Sequence, residues 1–221
     1  SALKAGAFGV STDANADYWG IESMGTIPHF LIGCFAGNTA ESFLAFDQHS
    51  SSQVNRIALV DWDNDCIGTT RKIIEKLIEV KILREPVTSK TFHQFASRVI
   101  GAGKGKLWGV RFDTSSALRD RSVKSYRKGA FGVCPELVCK ARIEFDRWGC
   151  RGLKIIVSGG FDEKRIRDFE KRRVPVDAYG VGSSLLRHKI DITADIVQYE
   201  KHPCAKVGRH KGNWSRLLPV K

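Results

Sequence analysis

Two short runs of small residues follow predicted β-strands and could bind a phosphate group. The β-branched run 154–157 ends in Ser158-Gly159-Gly160, and the predicted strand 176–179 ends in Gly180-Val181-Gly182-Ser183. Glycine lets backbone N–H groups approach an anion closely, and the N-terminus of a following helix adds a positive dipole end. One such turn is ordinary turn chemistry. Two in tandem at this spacing predict a phosphate site.

Charged side chains follow the other predicted strands: Asp13, His29, Asp61, Arg111 and Asp113. Arg111 and Asp113 are two residues apart on one strand and therefore share a face. Arg111 could bind a phosphate or an aromatic acid, and Asp113 could accept from ribose hydroxyls or hold Mg²⁺. Most of these residues also have a purely structural interpretation. Arg111 and Asp113 could form only an ion pair, His29 could simply begin a helix, and 61–65 could be a solvated loop. Taken with the glycine turns, the set predicts a phosphosugar ligand.

The elements that must position these residues alternate between strand and helix. Strands are predicted at 21–29, 56–62, 107–113, 154–157, 176–179 and 191–197, and helices at 30–48, 67–80, 135–148 and around Ile166 and Phe169. About six βα units predict an α/β fold with a parallel sheet, and they favour a TIM-like barrel over a doubly wound sheet. In such a barrel the strand ends meet at one face. The sequence has no GxGxxG after its first strand and no P-loop, so dinucleotide and Walker-type sites have no support.

Composition limits the partners and the compartment. The net charge of +12, from 36 basic and 24 acidic residues, predicts an anionic partner, which could be nucleic acid, an acidic lipid surface or a phosphorylated metabolite. No nucleic-acid-binding signature accompanies that charge. The six cysteines form no CxxC pair, which argues against structural zinc and indicates free thiols in a reducing compartment. We expect a cytoplasmic protein without a membrane span.

Six motifs in the same order resemble nicotinate phosphoribosyltransferases, of the type II phosphoribosyltransferase family, over essentially the whole chain. They are GTIPHFL, GVRFDTSS, IIVSGGFDEKRI, VDAYGVGSSLL, DITADIV and AKVGR…NWSRLLPV. The resemblance implies an irregular α/β barrel domain over 1–221, with an extended segment at 201–221 and without the family's N-terminal domain. It implies that nicotinate attacks C1 of phosphoribosyl pyrophosphate, giving nicotinate mononucleotide and pyrophosphate in NAD salvage. Mg²⁺ and ATP are the cofactors that it implies.

The resemblance also assigns roles to individual residues. His29 matches the histidine that the family phosphorylates from ATP, and Arg111 and Asp113 match residues that contact the pyridine and the ribose or pyrophosphate. The base would lie near Arg111 and Asp13, and no protein residue is assigned as a metal ligand. The 5-phosphate cradle would consist of Ser158, Gly159, Gly160, Gly180, Gly182 and Ser183. Asp13 stands where nicotinate enzymes tend to have Asn and nicotinamide-using relatives carry Asp, so the preferred base stays open.

Two other functions stay open at this point. The chain could be a non-catalytic barrel relative, acting as a subunit or structural component of a larger complex that could contain nucleic acid. It could instead be a nicotinamide- or quinolinate-using phosphoribosyltransferase. As an enzyme, it is expected to form a homodimer or a complex with a chain that supplies the N-terminal domain.

Overall fold

Four parallel strands form the central sheet of the computed structural model, which describes residues 6–21, 23–24, 27–124, 129–185 and 194–212. They are β1 (Ile57–Leu59), β2 (Gly109–Phe112), β3 (Lys154–Val157) and β4 (Ala178–Tyr179), paired in the order β1-β2-β3-β4. The register opposes Leu59 to Arg111 and Val157 to Tyr179. All four strands therefore end at the same edge of the sheet, where the candidate residues follow them.

Helices fill the connections between these strands. The described residues contain α1 (Asp13–Trp19), α2 (His29–Cys34), α3 (Thr39–His49), α4 (Cys66–Ile78), α5 (Ser89–Phe95), α6 (Pro135–Arg147) and α7 (Glu163–Lys171). A π-helical turn (Glu79–Leu83) continues α4, and short 3₁₀ turns occupy Ala96–Val99 and Ser183–Leu185. A hairpin of β5 (Gln198–Tyr199) and β6 (His202–Pro203) follows. Because α4, α6 and α7 each connect successive parallel strands, the core consists of consecutive βα units.

Local sequence explains where these connecting helices start and which face they bury. The carboxylate of Asp65 caps α4 by accepting from the N–H of Gly68, and a Cβ on Gly68 would lie only 2.2 Å from that carboxylate. Pro135 occupies the first turn of α6, where its missing N–H costs nothing. The two helices pack on the sheet through apolar stripes at helical spacing: Ile73, Ile74, Leu77 and Ile78 from α4, and Leu137, Val138, Ala141 and Phe145 from α6.

A fully buried arginine fixes the start of β1. The side chain of Arg56 has no solvent exposure, and its Nε donates to Oδ1 of Asp47 at 3.0 Å. Its Nη2 donates to the carbonyls of Asp47 and Ser50 at the end of α3. A cation at a helix C-terminus also complements the helix dipole. Arg56 therefore joins α3 to the strand that leads into the candidate site.

The α/β class and the parallel sheet are confirmed. The strand order runs along the sheet without a reversal, unlike that of a doubly wound sheet. In the described part of the chain the parallel sheet has four strands and is open, so the closed barrel stays a prediction.

Two expected strands and one expected helix differ from the structure. The range 21–29 contributes a single bridge, between Ser23 and Val10, and 194–197 forms no strand; residues 22, 25–26 and 191–193 of these ranges lie outside the described residues. The helix expected over 30–48 is interrupted between α2 and α3. Ala36 and Gly37 there have φ of 52° and 85°, and Asn38 caps α3. Apolar spacing continues across that interruption, which is why periodicity alone did not reveal it.

The cysteines are free thiols, with Cys34 exposed and Cys66, Cys134 and Cys150 buried. Burial raises the pKa of the thiols of these three buried cysteines. Of the helices in the described ranges, none combines the length and the apolar character needed to cross a membrane.

Candidate active site

Arg111 and Asp113 lie where β2 ends and form one polar unit with Ser158, which follows β3. Nη1 of Arg111 lies 3.2 Å from Oδ2 of Asp113 and donates to Oγ of Ser158 at 3.0 Å. Oγ of Ser158 lies 2.8 Å from Oδ1 of Asp113. The shared face expected from the spacing is therefore present, and the ion pair is present with it. The guanidinium and the carboxylate hold each other in place, and both side chains are partly exposed to solvent.

The first glycine turn lies directly beside this unit. Gly159 and Gly160 have φ of 85° and 74°, and a Cβ on Gly159 would lie 3.2 Å from Oδ1 of Asp113. The N–H of Ser158 donates to the carbonyl of Phe112 at 2.9 Å, and its hydroxyl is engaged as described above. Within the described residues the N–H groups of Gly159 and Gly160 donate no hydrogen bond. These two amides, rather than Ser158, are the donors that the turn offers to an anion.

The second glycine turn adjoins the first. A Cβ on Gly180 would lie 3.1 Å from Cβ of Ser158, and Oγ of Ser184 donates to the carbonyl of Phe161 at 3.0 Å. Among the described residues no atom lies within 4 Å of the position that a Cβ on Gly182 would take, so these residues leave the space in front of this turn open. Ser183 begins the 3₁₀ turn that follows. The two predicted turns are thus neighbours at one sheet edge.

The helix dipole expected behind the first turn is already partly complemented. Asp162 caps α7, its carboxylate accepting from the N–H of Arg165 at 2.8 Å, and Glu163 adds a second acidic side chain in the first turn. Both carboxylates oppose the positive dipole end. An anion at this edge therefore depends on the glycine amides more than on the N-terminus of α7.

A second polar cluster contains His29, Asp61 and Lys206. His29 begins α2, as the structural alternative expected, and its Nε2 also donates to Oδ1 of Asp61 at 2.8 Å. The Asp61 side chain is fully buried, and its Oδ2 pairs with Nζ of Lys206. The range 61–65 is therefore not simply a solvated loop. Because Nε2 of His29 is occupied, Nδ1 is the nitrogen that remains available as a nucleophile.

The two clusters are connected. Nη2 of Arg111 donates to the carbonyl of Ile27 at 3.3 Å, just before His29, and Nζ of Lys206 lies 3.2 Å from the carbonyl oxygen of Asp113. The ends of β1, β2 and β3, the start of α2 and the C-terminal segment thus contribute to one continuous site.

Among the described residues Asp13 makes no hydrogen bond or ion pair with the two clusters. It is exposed in the first turn of α1, where its carboxylate accepts from the hydroxyl of Ser23. No contact among the described residues joins it to Arg111. Its assignment to the base remains a prediction.

The charge state of Asp61 is set by its two partners. Burial alone would raise the pKa of this carboxyl, but the hydrogen bond and electrostatic attraction of His29, together with the charge of Lys206, lower the pKa below its ordinary value. The ionised Asp61 and its two partners therefore stabilise the fold at pH values above the pKa of Asp61 in the unfolded chain, about 4. That stability is lost as the pH falls through the still lower folded value.

We expect a corresponding pH dependence of stability. At pH 7 the wild type should unfold with a free energy about 1.5–3 kcal/mol above that of Asp61→Asn, because the variant lacks the charged acceptor. That difference should begin to shrink below about pH 4, where the carboxyl of the unfolded chain becomes protonated, and it should vanish as the pH falls through the lower pKa of the folded chain. Urea unfolding at several pH values measures both quantities. A difference that persisted unchanged at pH 3 would contradict the ionised state of Asp61.

Sequence reasoning missed Lys206 and the buried position of Asp61. Lys206 lies within the AKVGR motif, but neither spacing nor composition connects it with residues so distant in the chain. The described residues contain no group of three or more His, Cys, Asp or Glu side chains arranged to hold a metal ion. Asp61 is enclosed by its partners, whereas a quarter of the Asp113 side chain is exposed. A single exposed carboxylate suits Mg²⁺ that arrives bound to substrate phosphates.

Comparisons with known proteins give a consistent result. The chain is 25% identical over 200 residues to the nicotinate phosphoribosyltransferase pncB2 of Mycobacterium tuberculosis, in strains CDC 1551 / Oshkosh and ATCC 25618 / H37Rv. The match covers 89% of this chain and 34% of the relative, so the chain spans about a third of these proteins. A solved structure, nicotinate-nucleotide pyrophosphorylase from Pyrococcus furiosus, superposes with a TM-score of 0.57 at 30% identity, over 94% of this chain and 43% of that one. No family model matches the chain.

Proposed function

Since the chain resembles the type II phosphoribosyltransferases in sequence and in structure, we propose that it forms nicotinate mononucleotide and pyrophosphate from nicotinate and phosphoribosyl pyrophosphate, in NAD salvage. The observation that carries the proposal is the arrangement of the two open glycine turns against the Arg111–Asp113–Ser158 unit. An anion-binding edge beside a paired arginine and carboxylate is what a phosphosugar with a leaving pyrophosphate requires.

In this proposal the glycine turns bind the 5-phosphate. The N–H groups of Gly159 and Gly160 donate to the phosphate oxygens, and the open space at Gly182 admits the phosphate between the turns. Backbone donors held in this way need no rearrangement when the ligand arrives, so little binding energy is lost in ordering them. The 5-phosphate thereby fixes the position of C1 relative to β2.

The residues at the end of β2 then act on the reacting centre. Asp113 would hold the ribose hydroxyls and Mg²⁺, which when bound neutralises charge on the departing pyrophosphate. Arg111 would orient the base by contacting the carboxylate or the ring of the base. Breaking the bond at C1 leaves a cationic sugar, so rate acceleration would come mainly from holding the base in line and from charge stabilisation. The basic excess of the chain favours binding of these anionic substrates.

His29 would couple the reaction to ATP. Its Nδ1 is available and its Nε2 proton is held by an ionised carboxylate, an arrangement that makes an imidazole a better nucleophile. Phosphorylation at Nδ1 would then leave the contact with Asp61 intact.

The proposed enzyme would work within a larger assembly. The curated relatives are about three times as long as the matched region. We propose that the sheet belongs to an irregular barrel, and that a second copy or a chain supplying the N-terminal domain completes the site. The alternative is a non-catalytic relative that serves as one part of a complex.

One titration tests the proposal and separates it from the alternative. We expect phosphoribosyl pyrophosphate with Mg²⁺ to bind with a Kd in the micromolar range, about −8 kcal/mol, measured by calorimetry. Product formation with nicotinate, nicotinamide or quinolinate then identifies the base. Binding without turnover, even after a segment homologous to the N-terminal part of the relatives is added, would favour the non-catalytic role. An absence of binding at millimolar ligand would overturn the phosphosugar site.

A further inference from the structure

Arg165 lies behind the first glycine turn, and the function proposed above gives it no role. It belongs to the first turn of α7, and its guanidinium stacks on the ring of Phe161, with Cζ 4.1 Å from the ring centroid. Nη1 donates to the carbonyl of Gly159 and Nη2 to the carbonyl of Val133, both at 2.6 Å. Burial of the guanidinium lowers the pKa of Arg165. One side chain therefore connects the glycine turn with the segment that enters α6.

The bond to Gly159 has a stereochemical consequence. In a trans peptide the C=O and the following N–H point in opposite directions. Because Arg165 holds the carbonyl of Gly159, the N–H of Gly160 must point away from the guanidinium. Both flanking residues are glycines at positive φ, so the backbone itself imposes little barrier against the opposite orientation of this peptide. Without a fixed donor to the carbonyl of Gly159, the N–H of Gly160 that is offered to an anion could turn inward.

We propose that Arg165 is a positioning residue for the anion-binding turn: by holding the carbonyl of Gly159 it fixes the direction of the Gly160 N–H that receives the 5-phosphate. The inference deepens the proposed function and rests on it. Arg165 does not contact the ligand. A Cβ on Gly160 would lie 4.0 Å from its Nη1, so the guanidinium lies behind the turn. Lysine cannot replace it, because a single ammonium group lacks the planar fork that reaches two carbonyls at once.

The test compares Arg165→Met and Arg165→Lys with Arg167→Met, a control on the same helix whose exposed guanidinium pairs with Glu163 at 2.7 Å. Loss of one charge-assisted hydrogen bond should raise the Kd for ribose 5-phosphate and for phosphoribosyl pyrophosphate about tenfold in both Arg165 variants. Pyrophosphate has no 5-phosphate, so its Kd should change by less than about twofold. The control should bind all three ligands as the wild type does. Guanidinium ion added to Arg165→Ala should restore part of the affinity for ribose 5-phosphate.

A purely structural role would give a different pattern. If the role were purely structural, loss of Arg165 would lower the unfolding temperature and would weaken the binding of all three ligands together. Guanidinium would then not restore the affinity, and that result would overturn the inference. A second readout needs no ligand: the amide resonance of Gly160 in the free protein should shift or double in Arg165→Met and stay unchanged in Arg167→Met. An unchanged resonance in Arg165→Met overturns the inference even where the wild type binds no phosphosugar. Failure of the wild type to bind phosphosugars overturns the proposed function instead.

Discussion

Replacing Lys206 by methionine is expected to lower the free energy of unfolding by about 3–5 kcal/mol. The change removes the cation from a fully buried carboxylate and leaves Asp61 with His29 alone. Methionine keeps most of the apolar stem of lysine, so the expected loss comes from the uncompensated charge rather than from a cavity. Urea unfolding at pH 7 measures the loss.

Two further variants make this prediction specific. Lys211→Met changes an exposed lysine of the same segment and should leave stability within about 0.5 kcal/mol of the wild type. The double variant Lys206→Met with Asp61→Asn should be more stable than Lys206→Met alone, because the unpaired charge is gone. If the two substitutions had additive effects, the buried pair would not be a coupled unit, and the description of this cluster would be wrong.

Replacing Gly182 by aspartate is expected to weaken phosphoribosyl pyrophosphate binding at least about 100-fold, since a carboxylate about 4 Å from a phosphate costs several kcal/mol at a partly buried site. The fold should survive, because the new Cβ meets no atom of the described residues within 4 Å and Gly182 has no left-handed φ. Calorimetry gives the affinity and thermal unfolding gives the stability.

Gly212→Asp provides the matched control for this loss of affinity. Within the described part of the chain a Cβ on Gly212 also meets no atom within 4 Å, and the substitution adds the same charge to the protein, but Gly212 lies outside the two turns. It should bind phosphoribosyl pyrophosphate almost as the wild type does. If Gly182→Asp retained wild-type affinity, the assignment of this turn to the phosphate would be wrong.

The sequence predicted the elements whose signals are local. The β-branched run of β3, the apolar stripes of α4 and α6, and the glycines that follow β3 and β4 each occupy a short window. The Arg111–Asp113 contact was predictable for the same reason, because residues two positions apart on a strand lie on the same face. The interruption between α2 and α3 was not, because it depends on Gly37. A Cβ there would lie 2.7 Å from the indole nitrogen of Trp62, which is distant in sequence.

The parts of the site that escaped prediction are long-range contacts. No sequence pattern singled out Arg165, yet its guanidinium reaches two carbonyls, of which that of Val133 is 32 residues away. Lys206 reaches the carbonyl of Asp113 across 93 residues. A basic residue carries no local signal of which acceptor it will find. Only the packing of the sheet ends determines those partners.

Contacts between residues so far apart in the sequence also determine when the site is completed during synthesis of the protein. A chain synthesised from its N-terminus can pair β1 with β2 and β3 before Lys206 has emerged from the ribosome. Contacts between residues far apart in the chain form slowly, because the chain loses conformational entropy before it gains the energy of the contact. Until the segment around Lys206 docks, Asp61 lacks its cation and has only His29 as a partner for its carboxylate. The cluster around His29 is therefore completed at the end of folding, so nascent and partly folded chains form the glycine turns before they complete this cluster.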